Sequence, residues 1–402
     1  MPPVFHALVL NLHQPSGNLD ALLRDDEWEA RQILYALDRI SRSLGDYADV
    51  GRVHLACSGT LLETLADPGF QSRAYGIVKC GDLLWHWQQT QAIRLLGTAY
   101  YHPVLPLIPA ADWSEQLSRW LGLGRHLFGG RQFPGFWAPE MGFCMELIPL
   151  LKKLGYRYVL VDSEHVEPVG SMRWEEIRYR PHLARYGGEE IVVIVRDREL
   201  SNAQESGMDC GWFMQEVHAR TQFCDFAPLV TTATDGDNGG WFRNASSQGN
   251  FWGVFYQPLL DWVRRGATEI SPVFIEDYLD RYGAHGMVQV RAGAWNTGWH
   301  NGVGFTQWTG SAAQCEALAR VAETSRAFHA LRHKIRVSGW DDSRVRHGLA
   351  EAHWRLLRAE TSCHFFWGEA WVPRCHQDLH AVWAALAEIK SQVPWLGENP
   401  DS

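Results

Sequence analysis

The sequence predicts an α/β protein, a closed or nearly closed β/α barrel of seven strands followed by a helical C-terminal region, and two observations carry that prediction. Short, apolar, β-branched runs alternate with amphipathic helical stretches along most of the chain, and from about residue 310 only helical periodicity remains. Strands covered on both faces read as near-continuous apolar runs, so the first pattern is that of a parallel sheet wrapped in helices.

Taken in order, strands are expected at 5–12, 53–57, 93–97, 135–138, 158–162, 191–196 and 229–234, with helices at about 24–44, 59–66, 81–91, 112–128, 144–154, 209–220 and 250–265. These seven units make an incomplete TIM-like barrel over residues 1–292, and barrel sites form at the C-terminal ends of strands. Polar residues collect there: His13 and Gln14 after the first strand, Ser58 and Thr60 after the second, His102 after the third, Glu140 after the fourth, Asp162 and Glu164 after the fifth, Asp235 after the seventh. Residues 293–310 are rich in Gly, Asn and Trp. Because they carry Trp295, Trp299 and Trp308, where a flexible linker would be small and polar, they are expected to fold over the barrel mouth. Segments 311–332, 343–360 and 376–392 have apolar residues at helical spacing and form the expected helical region, 311–402.

Composition narrows the function. A chain of 402 residues with 46% hydrophobic residues buries a large core, and a net charge of −9 without a basic stripe excludes a nucleic-acid binder. Residues 1–3 lead straight into an apolar strand with no signal-peptide pattern, and no apolar run is long enough to span a bilayer, so a cytoplasmic protein with no membrane partner is expected. Eight cysteines are scattered without a Cys-x-x-Cys pair, and the 18 histidines form no ligand pair on one predicted helix or strand, so neither a metal nor another cofactor is expected. Twenty tryptophans exceed what a core requires, and flat rings that stack on sugar faces are one use for the surplus.

Two carboxylate settings carry chemistry. Residues 134–143, Pro-Gly-Phe-Trp-Ala-Pro-Glu-Met-Gly-Phe, place Glu140 among apolar and aromatic neighbours, where burial alters what a carboxylate does. Residues 229–242 run a β-branched strand into Asp235 and Asp237 and then a glycine turn; the loop opens like a calcium loop but lacks its closing Glu. Two strand-end carboxylates, each beside tryptophan, fit cleavage of a glycosidic bond, one attacking the anomeric carbon and the other protonating the leaving oxygen. A metal-dependent polysaccharide deacetylase would need an Asp/His zinc cluster that the His13-Gln14-Pro15 segment lacks, and a non-catalytic glucan-binding barrel would tolerate loss of either carboxylate.

In their order the motifs resemble glycoside hydrolase family 57. Residues 10–15, Leu-Asn-Leu-His-Gln-Pro, are similar to its first signature, residues 97–103, Gly-Thr-Ala-Tyr-Tyr-His-Pro, to its second, and residues 135–140, Gly-Phe-Trp-Ala-Pro-Glu, to its third. The resemblance covers roughly residues 4–370 and implies a seven-stranded barrel with helices that acts on α-glucans. It implies that Glu140 is the nucleophile and Asp235 the general acid/base of a retaining double displacement, in an α-amylase-like hydrolase or, on the same site, a 4-α-glucanotransferase or branching enzyme. Residues 235–240, Asp-Gly-Asp-Asn-Gly-Gly, depart from the fourth signature: Asp237 stands where the family has Glu and Gly239 where it has Phe. Residues 360–367 depart from the fifth, with Cys363 and His364 where an acidic residue is usual. His13 and His102, supported by Gln14, are expected to hydrogen-bond sugar hydroxyls, and Trp137, Trp241 and Trp299 to offer stacking faces, with Asp237 on the floor of the sugar site.

Overall fold

Residues 2–295 and 304–393 are described by the computed structural model of the chain. Seven parallel strands form a ring: β1 (Val4–Leu12), β2 (Val53–Cys57), β3 (Ile93–Leu96), β4 (Gly135–Trp137), β5 (Tyr158–Asp162), β6 (Glu189–Arg196) and β7 (Leu229–Asp235). Their order around the sheet is β3, β2, β1, β7, β6, β5, β4, so every strand lies beside a sequence neighbour except at the β1–β7 junction.

The ring closes on one residue. Gly97, just past β3, donates its N–H to the Gly135 carbonyl at 2.9 Å and accepts from Trp137 N–H at 2.8 Å. Only glycine fits this seam, because a Cβ on Gly97 would stand 2.3 Å from Tyr156 Oη and one on Gly135 would stand 2.2 Å from the Tyr158 ring. Gly97→Ala is therefore expected to cost about 1–3 kcal/mol through overpacking, read as a lower thermal midpoint with unchanged far-UV circular dichroism; an unchanged midpoint would mean the seam is looser than drawn. The β6–β7 junction is looser, with a single register pair, Arg196 with Thr231. There side chains replace the ladder: Arg196 Nε donates to the Ala233 carbonyl at 2.8 Å, and Ser201 Oγ accepts from Ala233 N–H at 3.0 Å.

The two faces of each strand pack differently. Along β1, Leu8, Leu10 and Leu12 lie under the outer helices, whereas Ala7 and Val9 point into the ring, which Ala56, Leu96, Leu160, Ile194 and Ala233 fill from the other strands. That inner cluster runs on without a break into Trp308, Phe328, Leu356 and Leu379. The helices Ala312–Ser338, Ser343–Ala359 and Val372–Gln392 thus share the barrel's own core, as the C-terminal periodicity anticipated.

All seven expected strands are present; several other features differ. The helix expected over 24–44 is two, Asn18–Asp25 and Glu27–Leu44, because Asp26 breaks the first and caps the second by accepting from Glu29 N–H at 3.2 Å. Four short strands carry no periodicity of their own: His182–Tyr186 pairs antiparallel with β6, Ile270–Pro272 lies parallel to the start of β1, and Val166–Pro168 pairs antiparallel with Val288–Val290. Asp162 does not point into the mouth. It is fully buried and ties Arg196 Nη1 and Arg198 Nε together at 2.8 Å each, while Glu164 is exposed. Among the described residues, no helix is long and apolar enough to cross a membrane.

Candidate active site

The C-terminal ends of β1, β3, β4 and β7 open into one cleft of about 550 Å³, roofed by the helical region. Asn11 comes from β1 and His13 and Gln14 from the loop after it, His102 from the loop after β3, Glu140 from the loop after β4, and Asp235 from the last residue of β7. Trp295, Cys363, Trp367 and Trp371 complete the wall.

Glu140 sits on a strained backbone. Among the described residues only three non-glycine residues have a positive φ, His102 (58°), Glu140 (55°) and Met141 (51°), and two of the three line this cleft. Such conformations cost of order 1–3 kcal/mol each and persist where the surroundings over-determine them. Here the Glu140 carbonyl accepts from Trp295 N–H at 2.9 Å, and the His102 carbonyl accepts from Ser362 N–H at 3.0 Å. The side chain is held as firmly: Ser362 Oγ donates to Glu140 Oε1 at 2.7 Å and Trp295 Nε1 donates to Oε2 at 2.7 Å, with His102 Nε2 at 3.5 Å from Oε1.

These contacts set the electrostatics. Burial pushes the Glu140 carboxyl up, but His102, Ser362 and Trp295 outweigh it, and the group lies below the ordinary carboxylate range. Asp235 moves the other way: burial first, then the charges of Asp237 and Glu140, hold it well above that range against a single donor, Asn11 Nδ2 at 2.8 Å. Burial raises Asp237 to about 6 although Gln14 Nε2 donates to its Oδ2 at 3.0 Å and Arg243 lies near. His13 is kept neutral by burial and by the neighbouring His102, on which it stacks at 4.0 Å with the rings 7° apart.

The cleft thus brings together Glu140, Asp235, His13, Gln14 and His102 of the expected set. Asp237 lies beneath the cleft lining, fully buried behind Gln14. Trp137 is also fully buried, edge-to-face with Trp295 at 5.4 Å, so it supports the wall from below and offers no face to a ligand. Trp241 packs half-buried against the outer core. Trp299 lies outside the described residues. The Phe and Trp rings that do line the cleft are Trp295, Phe366, Trp367 and Trp371, the last two 6.3 Å apart. Neither Ser362 nor Asn11 was anticipated. Ser362 lies within the stretch 360–367 singled out above, but nothing local marks the hydroxyl that reaches a carboxylate 222 positions away. The Asn11–Asp235 contact follows from strand register, since the two residues pair across β1 and β7.

Comparison with known proteins places this geometry. The family described as Glycosyl hydrolase family 57 matches residues 25–291. The chain belongs to glycosyl hydrolase family 57. An alpha-amylase of Pyrococcus horikoshii is 27% identical over 202 residues, 50% of this chain and 29% of that protein. A 4-alpha-glucanotransferase of Thermococcus kodakarensis is 28% identical over 191 residues, 47% of this chain and 26% of that protein. The chain therefore spans less than a third of the length of these curated relatives. In fold, the family 57 branching enzyme of Pyrococcus horikoshii superposes with a TM-score of 0.69 at 16% identity, covering 97% of this chain and 88% of that one. That likeness is one of fold, a barrel followed by a helical region.

Proposed function

We propose that the chain is a retaining α-glucan hydrolase in which Glu140 is the nucleophile and Asp235 the general acid/base. The observation that carries this reading is the meeting of two carboxyls in one cleft in opposite settings, Glu140 lowered by His102 and by the donors Ser362 and Trp295, and Asp235 raised by burial and by the charges of Asp237 and Glu140. In the first step Glu140 attacks the anomeric carbon, the glycosidic C–O bond breaks, and the Asp235 proton passes to the leaving oxygen. In the second, the Asp235 carboxylate takes a proton from water as its oxygen attacks the anomeric carbon and releases Glu140, so configuration is retained. The donors Ser362 and Trp295, which stabilise the Glu140 carboxylate, also make it a better leaving group in this second step.

Transfer to a sugar hydroxyl is the second reading, favoured by the half-exposed Trp367 at the rim, which presents an apolar face where an acceptor sugar would lie. Chromatography of products from maltooligosaccharides decides between them: shorter products alone mean hydrolysis, longer ones transfer. Binding of maltooligosaccharides by calorimetry without any new product would favour a glucan-binding barrel and overturn both.

The pH profile follows from the same displacements. Turnover requires Glu140 ionised and Asp235 protonated, so the acid limb reports the first and the alkaline limb the second. Asp237 raises Asp235 through its charge, so Asp237→Asn is expected to lower the Asp235 pKa and move the alkaline limb toward acid pH, leaving the acid limb in place. An alkaline limb that stays put would remove Asp237 from this role.

A further inference from the structure

Away from the cleft, three ligand-type side chains from three helices converge. Asp112 lies near the start of Ala110–Leu127, the helix between β3 and β4, while His329 and His353 lie on Ala312–Ser338 and Ser343–Ala359. Asp112 is fully buried; its Oδ1 is 2.6 Å from His329 Nε2 and 3.9 Å from His353 Nε2, and the three ligand atoms all lie within 4.8 Å of one another. Its other oxygen accepts from Ser325 Oγ at 2.6 Å, which fixes the carboxylate plane.

One further observation marks the group as incomplete on its own. His353 is 6% exposed, its ring is stacked on Phe328 at 4.6 Å, and its Nε2 is buried without a hydrogen-bond partner. Such an orphan costs free energy unless something occupies the space before it. Glu360, fully buried at the end of the third helix, stands beside the group: its Oε2 accepts from Gln116 Nε2 at 2.8 Å, and its carboxyl shares a hydrogen bond with Asp112.

We propose that Asp112, His329 and His353 form a structural site for a divalent metal of the zinc type, with Glu360 or a water as fourth ligand. Two imidazoles with carboxylate oxygen suit zinc, and structural zinc is four-coordinate with bonds of about 2.0–2.1 Å, which separates neighbouring ligand atoms by about 3.3 Å. The His329 contact would open and the His353 contact would close, each by under about 1 Å, within reach of side-chain rotation. The ion would clamp the barrel helix to the helical region, and through Glu360 it would steady the turn that presents Ser362 to Glu140. Arg332, which donates to His329 Nδ1 at 3.0 Å, is exposed and free to swing aside so that Nδ1 can carry the proton that metal ligation by Nε2 requires. The sequence conceals the site because its ligands lie 217 and 24 positions apart, so the absence of a ligand pair on any one element, on which the expectation of no metal rested, does not exclude it.

The test uses untagged, metal-depleted full-length protein and does not depend on enzymatic activity. After equilibration with Zn²⁺ and gel filtration, the wild type is expected to retain one ion per chain, to melt several degrees higher, and to give the visible bands of four-coordinate cobalt when Co²⁺ replaces zinc. His329→Gln, at a partly exposed position where folding should survive, and His353→Gln are each expected to weaken binding on the order of 100-fold or more and to abolish the rise in melting point. If either variant fails to fold, the cobalt spectrum of the wild type still decides. Wild-type protein that retains no zinc and gives no cobalt bands, or retention unchanged in folded variants, would overturn the proposal.

Discussion

Replacing Glu140 with glutamine is expected to reduce turnover of α-glucans by on the order of 10⁴-fold or more, because a neutral amide cannot form the glycosyl–enzyme bond. The exchange is nearly isosteric: Trp295 Nε1 can still donate to the amide oxygen while the Ser362 hydroxyl turns to accept from the amide nitrogen, so the melting point should change little. Asp235→Asn is expected to lose about 10²–10⁴-fold, the usual worth of a general acid. The two roles separate with an activated substrate: azide should restore turnover in Glu140→Ala by filling the nucleophile's space, while Asp235→Asn should retain most of its first step because a good leaving group needs no proton. Near wild-type activity in either isosteric variant would remove the assignment.

The second large effect is on stability. Asp162 is the common counter-ion of Arg196, 1% exposed, and Arg198, 5% exposed, at the junction where β6 and β7 share a single register pair. Asp162→Ala leaves two buried guanidinium groups without that charge, and breaking a buried pair by removing one partner costs about 3–5 kcal/mol. The loss should appear as a large drop in the urea midpoint, or as failure to accumulate folded protein. Because Arg196 Nε also holds the Ala233 carbonyl two residues before Asp235, activity should fall along with stability. A change below about 1 kcal/mol would show that water reaches these arginines.

What the sequence made legible follows from the length scale of each signal. The seven barrel strands announce themselves by local apolar runs, and the three long C-terminal helices by period, so both were readable. The place of Glu140 and Asp235 at the cleft was readable because each stands at or just past the end of such a strand in an anomalous setting. Contacts across the fold were not: Ser362 and Trp295 meet Glu140 from 222 and 155 positions away. The misplaced tryptophan shows the same limit, since alternation along β4 does not tell whether Trp137 faces a ligand or, as found, lies under Trp295. Asp162 sits at a strand end like the other two carboxylates, and only the positions of Arg196 and Arg198 turn it from a candidate ligand for the mouth into a structural tie.

The most direct test of the mechanism is to trap the intermediate. With Asp235→Asn and an α-maltosyl fluoride, fluoride departs without acid help while the second step lacks its base, so the covalent species should accumulate. Intact mass spectrometry should show a gain of one maltosyl unit, and peptide mapping should place it on Glu140. An adduct on another residue, or none while the wild type turns over the same substrate, would contradict the assignment of Glu140 as nucleophile.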